Sequence, residues 1–252
     1  MITRRRFLGL GLLAVPAVAG IDARWIEPSS LRVKKLQLHG GNQARFIHFS
    51  DFHYKGDAQF AAHVVGTINQ LAPDFVCFTG DLIENCAFLD DALAFVRQIE
   101  APVYGVPGNH DYSTQAPFPK YEKAFAATGG GWLPARNVTL RKYDVELVGM
   151  GITGMDTQAA ASVSRRILLI HYPAVADTMG GQRFDLILAG HSHGGQVRLP
   201  FLGPLVLPPA VGNYDMGYYE TPAGPLYVNA GIGTYIVPWR FNCPPELTLI
   251  SI

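Results

Sequence analysis

The chain has little cysteine, little charge and no long apolar run. Three cysteines in 252 residues, Cys77, Cys86 and Cys243, are too few and too irregularly spaced for a disulfide scaffold or a thiolate zinc module. Cys77 sits inside an apolar run and reads as a small core residue, whereas the context of Cys86 and Cys243 decides nothing. Charged residues make up 16% of the sequence, 20 basic against 20 acidic, so neither a disordered polyelectrolyte nor a basic groove for nucleic acid is expected. The longest apolar stretch, Leu8 to about Ala19, is glycine-rich and shorter than the about 20 residues that a membrane span needs.

What is present is apolar content, at 48%, in a chain long enough to bury one substantial core without covalent staples. Its first residues read as an address. The cluster Arg4-Arg5-Arg6 precedes Phe7, Leu8 and the apolar stretch, an n-region followed by an h-region that resembles a twin-arginine export signal. Residues 1–30 are therefore expected to be a leader and linker, and residues 31–252 the folded domain. Ala17-Val18-Ala19 fits a small-x-small cleavage site. Cleavage would leave a periplasmic protein, and retention would attach it to the outer face of the cytoplasmic membrane. Partners would then include the twin-arginine export machinery, which carries folded proteins, and a membrane surface.

Past the leader, short β-branched or aromatic runs alternate with stretches of helical periodicity, the pattern of an α/β domain. Strands are expected over Arg45–Ser50, Phe75–Thr79, Val103–Val106, Val145–Met150, Ile167–Ile170 and Phe184–Ala189. Helices are expected over Phe60–Leu71, Phe88–Gln98 and Tyr121–Ala127, with strands and turns in the Pro- and Gly-rich stretch Val197–Ile252.

Polar clusters fall at the carboxyl ends of these strands, the edge of an open sheet where ligands bind. They are Asp51-Phe52-His53, Gly80-Asp81, Gly108-Asn109-His110-Asp111, His171 after Ile170, and Gly190-His191-Ser192-His193. Each supplies Asp, Asn or His, donors suited to divalent first-row ions, and taken singly each is also ordinary turn chemistry. Five of the eight histidines lie in these clusters, leaving His39, His48 and His63 as ordinary residues.

Taken together and in this order, the five clusters resemble the calcineurin-like metallophosphoesterase family. That resemblance implies a fold of two mixed β-sheets packed as a sandwich and flanked by helices, four layers in the order α-β-β-α. It implies two divalent ions, with Asp51, His53, Asp81 and His193 on one and Asp81, Asn109, His171 and His191 on the other, Asp81 bridging. A hydroxide between the ions would attack phosphorus while His110 serves as general acid. Asp111 would either orient His110 or be a solvated turn residue. Without thiolates the ligands suit Mn, Fe or Zn, and the family favours Mn.

The leader and the run Arg240–Glu246 look like an exported bacterial branch similar to phosphodiesterases and UDP-2,3-diacylglucosamine hydrolases, although the stretch from Gly149 to Arg166 is short for that branch. A lipid-linked or nucleotide-sugar phosphoester is the expected substrate. A UDP-diacylglucosamine would lie on the cytoplasmic face, which conflicts with a leader that directs the chain outward. Alternatives are a broad phosphomonoesterase and an inactive metal-bearing interaction module. Arg198 and Arg240 are candidates to pair with substrate phosphates, or they are ordinary surface ion pairs. The apolar segment Leu199–Val211 would receive an acyl chain or dip into a membrane, or else form short core strands.

Overall fold

A computed structural model describes residues 18–38, 44–151, 154–155 and 163–252, with only the backbone of Met155. The basic cluster and most of the apolar stretch of the expected leader lie outside the described residues, as does His39. So does most of the short segment before Arg166.

Two mixed sheets form the body. The first has the order β1 (Arg32–Gln37), β15 (Glu246–Ser251), β2 (Arg45–Phe49), β3 (Phe75–Phe78), β4 (Val103–Gly105) and β5 (Gly131–Trp132). β2, β3 and β4 run parallel, while β15 pairs antiparallel with β2. The second has the order β13 (Gly217–Thr221), β14 (Gly224–Val228), β10 (Leu186–Ala189), β9 (Arg165–Leu169), β7 (Val145–Gly151) and β6 (Asn137–Leu140), with β8 (Gly154–Met155) on β7. β7, β9, β10 and β14 are mutually parallel. A separate hairpin joins β11 (Arg198–Leu199) to β12 (Gly203–Pro204).

The strands sit where the apolar runs are, because alternate residues serve two cores. Phe46, Phe75 and Cys77 point between the sheets, where they meet Leu147, Leu169 and Leu188 of the second sheet. Ile47, Phe49, Val76 and Phe78 point the other way, under the helices. Cys77 is thus the core residue its context indicated.

The helices α1 (Ala58–Leu71), α2 (Leu89–Val96) and α4 (Phe118–Ala127) cover the first sheet, each overlapping its expected range. In α1 the Asp57 carboxylate accepts from Phe60 N at 2.9 Å as the N-cap, and Ala61, Val64, Val65 and Ile68 form the buried stripe. The outer face of the second sheet is covered more thinly, by the 3-10 segment Pro173–Thr178 with Ala176 and Met179 against Val148, Leu168 and Ile187. The short helix α3 (Asn109–Ser113) starts directly after β4, within a cluster that reads as a turn in the sequence.

Segments at both ends of the chain are tied together. Arg240 N donates to Ala23 O at 2.9 Å, and the Glu27 carboxylate accepts from Asn242 N at 3.0 Å and from Cys243 N. The expected boundary near residue 30 therefore falls beside residues that pack on the C-terminal region.

Candidate metal centre

β2, β3 and β4 of the first sheet and β9 and β10 of the second end at the same edge, so five loops from two sheets converge there. Asp51, His53, Asp81, His171, His191 and His193 are all buried at that point, and Asn109 opens α3 beside them. Asp51, His53, Asp81, His191 and His193 all have positive φ, between 43° and 68°. Side chains with a Cβ avoid that region, and each such residue costs on the order of 1–3 kcal/mol unless its surroundings enforce it. Asp51 is held by its own partner: its carboxylate accepts from His191 N at 2.9 and 3.1 Å, tying the first loop to the last.

The ring nitrogens decide what the cluster is for. His171 Nδ1 lies 2.7 Å from Thr79 O, and His191 Nε2 lies 2.8 Å from Pro209 O. Carbonyl oxygens only accept, so both of these nitrogens carry the proton. In the neutral rings the remaining nitrogens, His171 Nε2 and His191 Nδ1, bear lone pairs, and they face each other at 3.2 Å. Asn109 Oδ1 lies 3.0 Å and Asp81 Oδ2 3.3 Å from the same His171 nitrogen. On the other side His53 Nδ1 meets the Glu84 carboxylate at 2.8 Å, which turns His53 Nε2 toward His193 Nε2 at 3.1 Å and Asp81 Oδ2 at 3.4 Å. His193 Nε2 is 3.5 Å from Asp51 Oδ1. Acceptors aimed at acceptors are stable only around a cation or a proton. The donor set, imidazole and carboxylate oxygen with one amide oxygen, fits a divalent ion such as Mn, Fe or Zn.

Residues 44–195 match the sequence profile of the calcineurin-like phosphoesterase family. The chain belongs to this family. It is 32% identical to an uncharacterized metallophosphoesterase, YkuE of Bacillus subtilis, over 100% of this chain and 98% of that one. It is 26% identical to the phosphodiesterase YaeI of Escherichia coli over the full length of both chains. It is also 24% identical to the UDP-2,3-diacylglucosamine pyrophosphatase LpxG of Chlamydia trachomatis, over 95% of this chain and 94% of that one. As a calcineurin-like phosphoesterase it is a metal-dependent phosphoester hydrolase, and the Asp/His cluster is its candidate metal site.

In this phosphoesterase the site's own charges are balanced by protons. Burial disfavours the charged form of His53, but its hydrogen bonds to Asp81 and Glu84 outweigh that and raise its pKa to about 9. His171 behaves alike: burial opposes its charge, and Asp81 together with Asp51 raises it to about 9. Burial and the charge on His171 lower His191 to about 4, and burial with the charge on His53 holds His193 well below the usual range. For Asp81 burial works against ionisation, yet His171 and His53 keep its carboxyl well below the ordinary carboxylate range. Two of four imidazoles therefore carry protons in the place where cations would bring positive charge.

His110 stands at the rim, partly buried, with its backbone N donating to Asp81 Oδ1 at 2.7 Å. Its ring contacts those of His53 at 4.7 Å and Tyr235 at 4.8 Å between centroids. Asp111 does neither thing proposed for it from sequence. It is fully buried, and its carboxylate accepts from Gly108 N, Asp81 N, Leu82 N and the Tyr121 hydroxyl at 2.7–3.1 Å. It fixes the Asp81 loop against α3 and makes no hydrogen bond to the His110 ring.

Arg240 is also corrected. Its guanidinium is completely buried and donates to the carbonyls of Ala230, Gly231, Gly233 and Cys243, so no face is left for a phosphate. Arg198 is the ion pair its alternative reading describes, bonded to Asp215 at 2.7 Å and to Gly194 O. Sequence reasoning missed Glu84 and Tyr235. The first could have been found as the carboxylate three residues after Asp81; the second lies in a loop without a recognisable motif. The run Gly190-His191-Ser192-His193-Gly194 also has Gly-x-Ser-x-Gly spacing, but Ser192 is buried and its Oγ accepts from Gly194 N, so it is no exposed nucleophile.

Proposed function

We propose that the chain is a two-ion phosphodiesterase or pyrophosphatase acting on a lipid-linked phosphoester outside the cytoplasm. The observation that carries the two-ion reading is the single Asp81 oxygen, Oδ2, lying 3.4 Å from the His53 set and 3.3 Å from the His171 set. Asp51, His53 and His193 would hold one ion with Asp81, and Asn109, His171 and His191 the other. When bound, such ions polarise phosphoryl oxygens and ionise a water. The neutral amide of Asn109 keeps the ligand charge low enough to admit an anionic substrate. His110, with burial lowering its pKa, reaches from the rim and donates its proton to the leaving oxygen. Glu84 fixes the His53 ring, and Asp111 fixes the loop that carries Asp81. The likeness to the LpxG pyrophosphatase supports a lipid-linked diphosphate, and the basic-then-apolar start of the chain supports export.

The test is metal analysis of the full chain, followed by assays with Mn and with chelator on UDP-2,3-diacylglucosamine, bis-p-nitrophenyl phosphate and p-nitrophenyl phosphate. The expected result is metal near two per chain and chelator-sensitive cleavage of the first two. Turnover confined to the monoester would overturn the diester reading.

A further inference from the structure

Three neighbouring segments leave large apolar side chains uncovered. At the tip of the β11–β12 hairpin, Phe201 is fully exposed and Leu202 is 79% exposed, with Leu205 and Val206 exposed just beyond. In the loop before Arg240, Ile236 is 80% exposed beside Trp239. Near the N-terminus of the described chain, Ile21, Trp25 and Ile26 are exposed as well. Exposed apolar side chains concentrated on neighbouring segments mark an interaction site.

The segments are laced side by side. Arg198 N donates to Phe241 O at 2.9 Å, joining the hairpin to the residues after Trp239, and Arg240 N donates to Ala23 O at 2.9 Å, joining those to the N-terminal segment. Both loops also wall the metal centre. Pro209, just past the hairpin, supplies the carbonyl that orients His191, and the Tyr235 ring lies 5.5 Å from that of His53. Phe201 has φ 66°, a conformation a bulky aromatic rarely adopts, and the turn leaves its ring exposed among the described residues.

We propose that this face docks on an anionic lipid bilayer and thereby presents the metal centre to phosphoesters in the headgroup layer. The lipid occupant follows from what joins the face. In the sequence the apolar run Leu8 to Ala19, with Arg4, Arg5 and Arg6 before it, directly precedes the exposed Ile21 and Trp25, which flank the Ala23 carbonyl bonded to Arg240. An apolar segment with basic residues is one membrane signal, and reversible binding becomes stable when a second is added. The hairpin and loop supply that second signal. Trp25 and Trp239 provide rings suited to the headgroup level, with the Arg24 guanidinium 5.4 Å from the Trp25 ring centre. The hydrolase reading identifies the centre; docking itself is read without turnover.

The molecule contains its own probe. Trp25 and Trp239 are exposed on the face, whereas the third tryptophan, Trp132, is buried in the helix-side core. Vesicles of phosphatidylglycerol and brominated phosphatidylcholine should quench the fluorescence of the full chain, and the Trp25→Phe, Trp239→Phe double variant should not be quenched. The Phe201→Asp, Leu202→Asp double variant should weaken vesicle affinity at least about tenfold, since two apolar side chains lose their burial. It should cleave soluble bis-p-nitrophenyl phosphate at the wild-type rate. Absence of quenching overturns the proposal. So does unchanged vesicle affinity in the Phe201, Leu202 variant, which would assign binding to the leader alone, and so does self-association through the face that vesicles do not reverse. Docking without hydrolysis of any phosphoester would instead overturn the function and leave the surface standing.

Discussion

A buried carboxylate that accepts from three backbone N–H groups and a tyrosine hydroxyl cannot lose an oxygen without stranding donors, and Asp111 is in that position. In Asp111→Asn the amide nitrogen would face at least one N–H that has no other acceptor. Stability should fall by about 1–3 kcal/mol, measured by denaturant unfolding, and metal content should fall with it because Asp81 loses its support. His110→Ala should do the reverse, keeping metal while turnover drops about 100- to 10,000-fold. The deficit should be smaller for a nitrophenol leaving group, which needs no proton, than for an alkyl one; equal deficits would remove the general-acid role. The seven candidate ligands were legible because the order of the five polar clusters resembles the family's motifs, although each cluster taken singly is also ordinary turn chemistry. Asp111 and Arg240 were not, since their type is equally suited to chemistry and to satisfying backbone groups, and only burial tells the two apart.

Elements were legible where burial leaves a continuous apolar run or a helical period. β2, β3 and β10 are apolar on both faces, because one side meets the second layer and the other the helices or the 3-10 segment. β1 escaped notice: it is an edge strand paired only with β15, and most of its residues are exposed, so no alternation betrays it. α3 escaped because five residues are too few for a helical stripe. The loops after the strands depend on small residues at close approaches. A Cβ at Gly190 would collide with Ser50 Oγ and the Asp51 carboxylate, and one at Gly108 would collide with Asp81. Gly190→Ala should therefore push β2 and β10 apart at their ends, with loss of metal binding and a lowered Tm, whereas alanine at Gly66, on α1 with open space around it, should leave metal content unchanged and hold or raise Tm. Equal metal content in the two variants would show that the Gly190 approach is not needed.

At the scale of the whole molecule, the first sheet brings two buried carboxylates, Asp51 and Asp81, to the centre and the second sheet faces them with imidazoles, so something positive must lie between the two. In the metal-free protein that role falls to His53 and His171, each with a pKa of about 9 against an ordinary value near 6.5. Both raised values describe stability that is fully present below the unfolded pKa and lost as pH rises through about 9. Chelated protein should accordingly melt at lower temperature at pH 10 than at pH 7, as Asp51 and Asp81 lose their counter-charges. Metal must displace the same protons, so binding at pH 7 should release about two protons per chain, falling toward none above pH 9. Titration calorimetry in buffers of different ionisation enthalpy counts them. Metal-loaded protein should keep its Tm across the same pH range, because ions hold their charge where imidazolium does not. A chelated protein whose Tm is flat from pH 7 to 10, or metal uptake without proton release, would show that the two imidazoles are neutral and that the carboxylates are balanced some other way.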